Sequence, residues 1–175
     1  MLHQLANINT FIFDVDGVLT NGEVLVTENG EQLRQFNIKD GYALQLAVKK
    51  GYHVAVISGA KSAGVEKRLI GLGIKDIFLG VSDKISVFRK LMQQYKLIPE
   101  SLVYVGDDIP DLQVMKLVAL PVCPKDAVDE IKEVSLYISP KKGGEGVARD
   151  IIEKVMKVQD KWFDESPSAH DGTSI

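Results

Sequence analysis

Six short, almost wholly apolar runs punctuate this chain, and between them the apolar residues fall at helical spacing. The runs are Thr10–Asp14, His53–Ser58, Ile77–Leu79, Leu102–Val105, Ala119–Val122 and Leu136–Ile138. A strand that is apolar at successive positions must be covered on both faces, because neighbouring side chains point to opposite sides. The helical patterns lie near Gly41–Lys50, Ala63–Leu72, Lys84–Tyr95, Pro110–Leu117, Ala127–Lys132 and Gly146–Trp162. Asp40 and Gly51 read as the start and stop of the first, Ser62 and Gly73 as those of the second. This alternation predicts an α/β fold, a doubly wound (Rossmann-like) parallel sheet with helices on both faces.

One segment breaks the rhythm. "EVLVTENGEQLRQFNIKDG" holds two β-rich runs joined at Asn29-Gly30, which predicts a protruding β-hairpin over about residues 23–38 with positive φ at both turn positions. Its apolar residues Val24, Leu25, Val26, Leu33, Phe36 and Ile38 are too many for a freely solvated hairpin and predict a contact surface, on the domain or on another subunit. Neither this segment nor the one between Ser58 and Lys84 has room for a cap domain. Residues 1–163 are expected to form one domain, and the polar stretch 164–175 a flexible C-terminal tail.

The formal net charge of −3 offers no basic footprint for nucleic acid, and no stretch is apolar and long enough to span a membrane. The N-terminus lacks the charged start and apolar core of a signal peptide, and the single cysteine, Cys123, suits a reducing compartment. A cytoplasmic location is expected. Cys123 itself reads as a small buried hydrophobe.

Chemistry collects where the predicted strands end, which is where ligands bind in such sheets. The first run ends in Asp14-Val15-Asp16-Gly17, and on an extended strand Asp14 and Asp16 would face the same side. Two carboxylates that close repel unless a cation, a proton or solvent intervenes. The second run ends in Ser58-Gly59, Lys84 opens a helix, and "LVYV" leads into Gly106-Asp107-Asp108-Ile109-Pro110-Asp111. Singly, each has an ordinary structural reading: Asp16-Gly17 as a turn, Ser58, Asp108 or Asp111 as helix caps, Lys84 as a surface lysine. Jointly, carboxylates from two strand ends make a hard-oxygen site suited to Mg²⁺, while a hydroxyl and an ammonium supply donors for a phosphoryl group. A carboxylate can attack phosphorus, and a second carboxyl two residues on can protonate the departing alkoxide and then activate water. Two other motifs fail: "SGAKSAG" lacks the glycine before lysine of a phosphate-binding loop, and "GLGIKD" has too few glycines for a dinucleotide site.

These four motifs, in this order from Phe11 to about Ile152, resemble the haloacid dehalogenase superfamily of phosphotransferases. The resemblance implies Asp14 as nucleophile and Mg²⁺ ligand. It implies Asp16 as general acid/base and backbone-carbonyl ligand, and Asp107 as the third protein ligand. Ser58, Gly59 and Lys84 would bind the phosphoryl group, with Asp108 and Asp111 supporting the acidic cluster. "DVDGVLTNG", "NIKDGYAL", "GLGI", "VGDDIPDLQVM", "GGEGVARD" and the terminal "GTSI" are similar to the capless 3-deoxy-D-manno-octulosonate 8-phosphate phosphatases. That likeness implies hydrolysis of a keto-sugar acid phosphate in lipopolysaccharide precursor synthesis, through an aspartyl phosphate. It also implies a homotetramer whose hairpins pack together and whose neighbouring subunits close the site. Where the family pattern often has arginine after the Ser-Gly pair, this chain has Ala60, leaving Lys61 and Arg68 as candidates for the substrate's carboxylate. The alternatives are a phosphatase for the nine-carbon 2-keto-3-deoxy-nononate 9-phosphate, a phospho-accepting receiver domain and an inactive tetrameric scaffold. The Asp14-x-Asp16 spacing and the late Asp107–Asp111 cluster speak against a receiver.

Overall fold

The structure, a computed structural model, describes residues 2–163, so the expected tail and its "GTSI" motif lie outside the described residues. In chain order the elements are α1 (Leu2–Asn7), β1 (Thr10–Phe13), β2 (Leu25–Val26), β3 (Gln32–Leu33), α2 (Ile38–Lys49), β4 (His53–Ile57), α3 (Ala63–Gly71), β5 (Asp76–Phe78) and α4 (Lys84–Tyr95). They continue with β6 (Leu102–Val105), α5 (Leu112–Met115), β7 (Leu120–Cys123), α6 (Asp129–Val134), β8 (Tyr137–Ile138) and α7 (Val147–Val158). Six strands form one parallel sheet in the order β5-β4-β1-β6-β7-β8, and β2 and β3 form the separate hairpin. The predicted doubly wound sheet is therefore the fold, without a cap domain.

Alternation along the strands builds two cores. Phe11 and Phe13 of β1 pack with α1, α2, α3 and α7, while Ile12 faces α4, α5 and α6. All three side chains are fully buried, and each such burial contributes about 1.5–3 kcal/mol. The strand carrying Asp14 at its end is thus anchored in both cores. After β1 the chain winds to β4 and β5, then crosses back to β6 on the other side of β1. That reversal opens a crevice beyond the carboxyl ends of β1 and β6.

Three local expectations need correction. The first long helix begins at Ile38, not after Asp40, because the Asn37 side chain accepts the Lys39 amide and caps it. Asp40 works elsewhere: its carboxylate accepts the Arg149 amide at 2.8 Å, so α2 caps α7, whose own N-cap, Gly146, has no side chain. In the hairpin, only Gly30 has positive φ; Thr27 C=O accepts from the Gly30 amide, and the Thr27 amide donates to Glu31. The loop is a three-residue turn ending in a left-handed glycine, which spares Asn29 that conformation. The stretch predicted as one helix from Pro110 is a 3₁₀ turn, Ile109–Asp111, leading into the short α5. The chain also has α1 and a 3₁₀ turn at Pro99–Ser101 that periodicity did not reveal. Among the described residues no helix is long and apolar enough to cross a membrane.

Candidate active site

The crevice holds a cavity of about 390 Å³ lined by Asp14, Asp16, Ser58, Gly59, Lys84 and Asp107 among others, so residues from three strand ends and one helix start converge. Parallel pairing of Phe13 with Val105 sets Asp14 beside the turn that follows β6, and the Asp14 amide donates to the Val105 carbonyl at 3.0 Å. Lys84 is buried, so it is no surface lysine. Its Nζ reaches Asp14 Oδ2 at 2.8 Å and Asp111 Oδ1 at 2.7 Å. Ser58 does not cap a helix; Ser62 caps α3, and Ser58 Oγ accepts the Ala60 amide at 3.2 Å.

Asp111 is fully buried and serves as the brace. Its Oδ1 accepts from Lys84 Nζ and from the Tyr104 hydroxyl, each at 2.7 Å, and its Oδ2 accepts the Asp107 amide at 3.1 Å. Gly106 is required here, since a Cβ on it would run into the Asp111 side chain. Asp108 does cap: its Oδ1 takes the Ile109 amide at the start of the 3₁₀ turn. Sequence reasoning missed Tyr104, whose only signal was one polar-tipped ring in an otherwise aliphatic strand. It also missed Arg34, which grips Asp16 through Nε–Oδ1 at 2.7 Å and Nη2–Oδ2 at 3.0 Å. Nothing in a single sequence marks a hairpin arginine for that contact.

Burial, then Asp111, push the Asp14 carboxyl up to about 6, against the lowering effect of Lys84. Burial, then Asp14 and Asp111, push Asp107 up to about 8. Lys84 is raised: burial opposes its charge, but Asp14 and Asp111 outweigh that. One ammonium among these carboxylates is too little positive charge. Oxygen atoms of Asp14, Asp107 and Asp111 come within 4.8 Å of one another. Asp111 already has hydrogen-bond donors on both oxygens, whereas no donor to the Asp107 carboxylate is found among the described residues. A hard cation fits Asp14 and Asp107 on these grounds.

Gly17 fits the same scheme. It has φ +82°, and a Cβ there would collide with the Asp107 carboxylate. Gly17→Ala should therefore cost about 1–2 kcal/mol for the left-handed backbone alone, and should also displace Asp107. The expected result is a lower melting temperature and weaker magnesium binding by titration calorimetry; unaltered binding would show that Asp107 does not hold the ion.

Lys61 and Arg68 lie outside the acidic cavity. They line an adjoining groove of about 1200 Å³ that shares Asp16, Gly59 and Ala60 with it. Arg68 fits against α2 because Gly41 has no side chain to exclude it.

The family described as haloacid dehalogenase-like hydrolase matches residues 73–151. The 3-deoxy-D-manno-octulosonate 8-phosphate phosphatase KdsC of Escherichia coli is 37% identical over 161 residues, 92% of this chain and 86% of that protein. The chain belongs to the haloacid dehalogenase superfamily. Within it, this chain groups with the 3-deoxy-D-manno-octulosonate 8-phosphate phosphatases. The crystal structure of such a phosphatase from Yersinia pestis is similar with a TM-score of 0.89 at 34% identity, covering 92% of this chain and 87% of that one. A Moraxella catarrhalis phosphatase, solved in complex with magnesium ion, phosphate ion and a KDO molecule, also gives 0.89, at 30% identity and 92% coverage of both chains. Membership in this superfamily sets the receiver-domain alternative aside.

Proposed function

We propose that this chain is a magnesium-dependent phosphoric monoester hydrolase that converts 3-deoxy-D-manno-octulosonate 8-phosphate to the free keto-sugar acid and phosphate. The observation that carries the reading is the Asp14 carboxylate, seated at the sheet's reversal point and held by Lys84. The named activity of its relatives supplies the substrate.

Lys84, Ser58 and the Gly59 backbone seat the phosphoryl group over Asp14. The Asp14 carboxylate attacks phosphorus while the bond from phosphorus to the sugar oxygen breaks, and Asp16 gives its proton to that oxygen. An aspartyl phosphate results. Asp16, now a carboxylate, takes a proton from water as that water attacks phosphorus, which releases phosphate and restores Asp14. Asp14, Asp107 and the Asp16 backbone carbonyl would hold Mg²⁺, which supplies the positive charge that lets anionic phosphate approach two carboxylates. Asp111 and Tyr104 keep Lys84 and the Asp107 turn in place, and Asp108 caps that turn. Lys61 and Arg68 face the sugar acid's carboxylate from the adjoining groove. The deciding experiment is phosphate release over many turnovers, comparing the eight-carbon substrate with 2-keto-3-deoxy-nononate 9-phosphate. Preference for the nine-carbon sugar would reassign the substrate, and no release from either would end the hydrolase reading.

The reading extends to assembly, as a cytoplasmic homotetramer. Leu25, Val26 and Leu33 of the hairpin are 67%, 62% and 49% exposed, a cost that contact with other copies of the chain would relieve. Val26→Asp should yield smaller species by light scattering and lower activity on the sugar phosphate. An unchanged mass would remove the hairpin from the interface.

A further inference from the structure

Arg34 has no task in the scheme above, yet it makes the most exacting contact in the site. Its guanidinium fork engages both oxygens of Asp16, at 2.7 and 3.0 Å, and its Nη1 donates to the Gln32 carbonyl at 3.3 Å. Planar bidentate pairing of this kind suits the paired oxygens of a carboxylate or a phosphate and is stronger than neutral hydrogen bonds. It also engages the very side chain that must serve the departing sugar oxygen. A second fact bears on this: Arg34 lines the groove that holds Lys61 and Arg68, the place where the substrate's own carboxylate is expected. Ala60, at the junction of groove and cavity, presents only a methyl group. Arg34 directly follows β3, and its side chain is only 5% exposed, so the guanidinium lies within the site and not in solvent.

We propose that Arg34 exchanges one carboxylate for another during each turnover. In the substrate-free protein it holds Asp16. The keto-sugar acid's carboxylate, drawn in by Lys61 and Arg68, takes over the guanidinium and leaves Asp16 to the leaving oxygen. The two pairings use the same donor geometry, so the exchange costs little and the two further cations decide its direction. Arg34 is thereby a specificity-determining residue: a sugar phosphate without a carboxylate leaves it on Asp16 and is turned over slowly. The inference rests on the hydrolase reading and on Asp16 as its acid.

The test compares wild type, Arg34→Gln, Arg34→Ala and Arg34→Lys, with magnesium, on 3-deoxy-D-manno-octulosonate 8-phosphate and on a hexose 6-phosphate. Loss of one charge-assisted bidentate contact should lower kcat/KM for the keto-sugar acid about 10- to 100-fold, mainly through KM. On hexose 6-phosphate, kcat should rise several-fold in the glutamine and alanine variants, because Asp16 is released. Lysine should restore part of the keto-acid activity. A purely structural role predicts instead that both substrates lose activity by the same factor, and that result overturns the exchange, as does an unchanged hexose phosphate rate. The glutamine variant keeps the side chain's length and polarity should the alanine variant fold poorly. Absence of wild-type turnover on both substrates would mark failure of the hydrolase reading itself, a different outcome from either.

Discussion

Asp14→Asn should abolish phosphate release from the keto-sugar phosphate while leaving the protein folded. Asparagine keeps the size and planar shape of the aspartate, and β1 beneath it is held by Phe11, Ile12 and Phe13 in two cores. What it removes is the nucleophile: an amide oxygen does not attack phosphorus at a useful rate, so the two-step route closes. The loss should be at least about a thousandfold, in line with removal of other covalent nucleophiles. The melting temperature should stay level or rise, because the substitution removes the cost of burying the Asp14 charge and its repulsion of Asp107, while Lys84 keeps Asp111 as its partner. Phosphate release and a thermal melt on one preparation check both halves. Turnover close to wild type in the variant would remove Asp14 from the nucleophile's role.

Chelation of magnesium should stop turnover, and its return should restore it, with a pH signature that activity alone does not give. Without the ion, Asp107 is pushed up to about 8 and Asp14 to about 6, both above the ordinary carboxyl value of 3.8. The folded chain therefore keeps protons that the unfolded chain would release. By linkage, the stability this confers is complete at low pH and is lost as pH rises through about 6 and then about 8. Magnesium requires the charged carboxylates and reverses that loss. The rise in melting temperature on saturating the protein with magnesium should be larger at pH 8.5 than at pH 6. Binding near neutral pH should also release protons, measurable as a buffer-dependent heat. Equal melting shifts at the two pH values would contradict an ion seated on Asp14 and Asp107.

Periodicity made the sheet legible because successive apolar residues on a strand leave no face for water, and every run read this way became a strand. Boundaries were less legible where two polar residues compete for one cap. Asn37 and Asp40 both suit a helix start, and only the distant first turn of α7 determines that Asp40 caps α7. The convergence of Asp14, Asp16, Ser58, Lys84 and Asp107 could be foreseen because strand ends in such a sheet share one edge. Asp111 as the brace for Lys84 and the Asp107 turn, and the grip of Arg34 on Asp16, could not. Those contacts span 27 and 18 residues of sequence and depend on side-chain direction, which no local pattern encodes.

The backbone at Gly143 and Gly144 is pressed against the loop that carries Asp14 and Asp16. A Cβ on Gly143 would strike the Gly17 carbonyl, the Gly144 amide donates to the Val18 carbonyl at 3.0 Å, and the Asn37 side chain donates to the Gly144 carbonyl at 3.2 Å. The aspartate loop is thus walled in by backbone that follows it in the chain by well over a hundred residues. On the ribosome the aspartate loop emerges before its backing and the helix that Asp40 caps, which arrive only from residue 143 onward. We expect a nascent chain arrested before that point to carry every catalytic side chain named above and yet no hydrolytic competence, so the activity is withheld until the backing segment has been made.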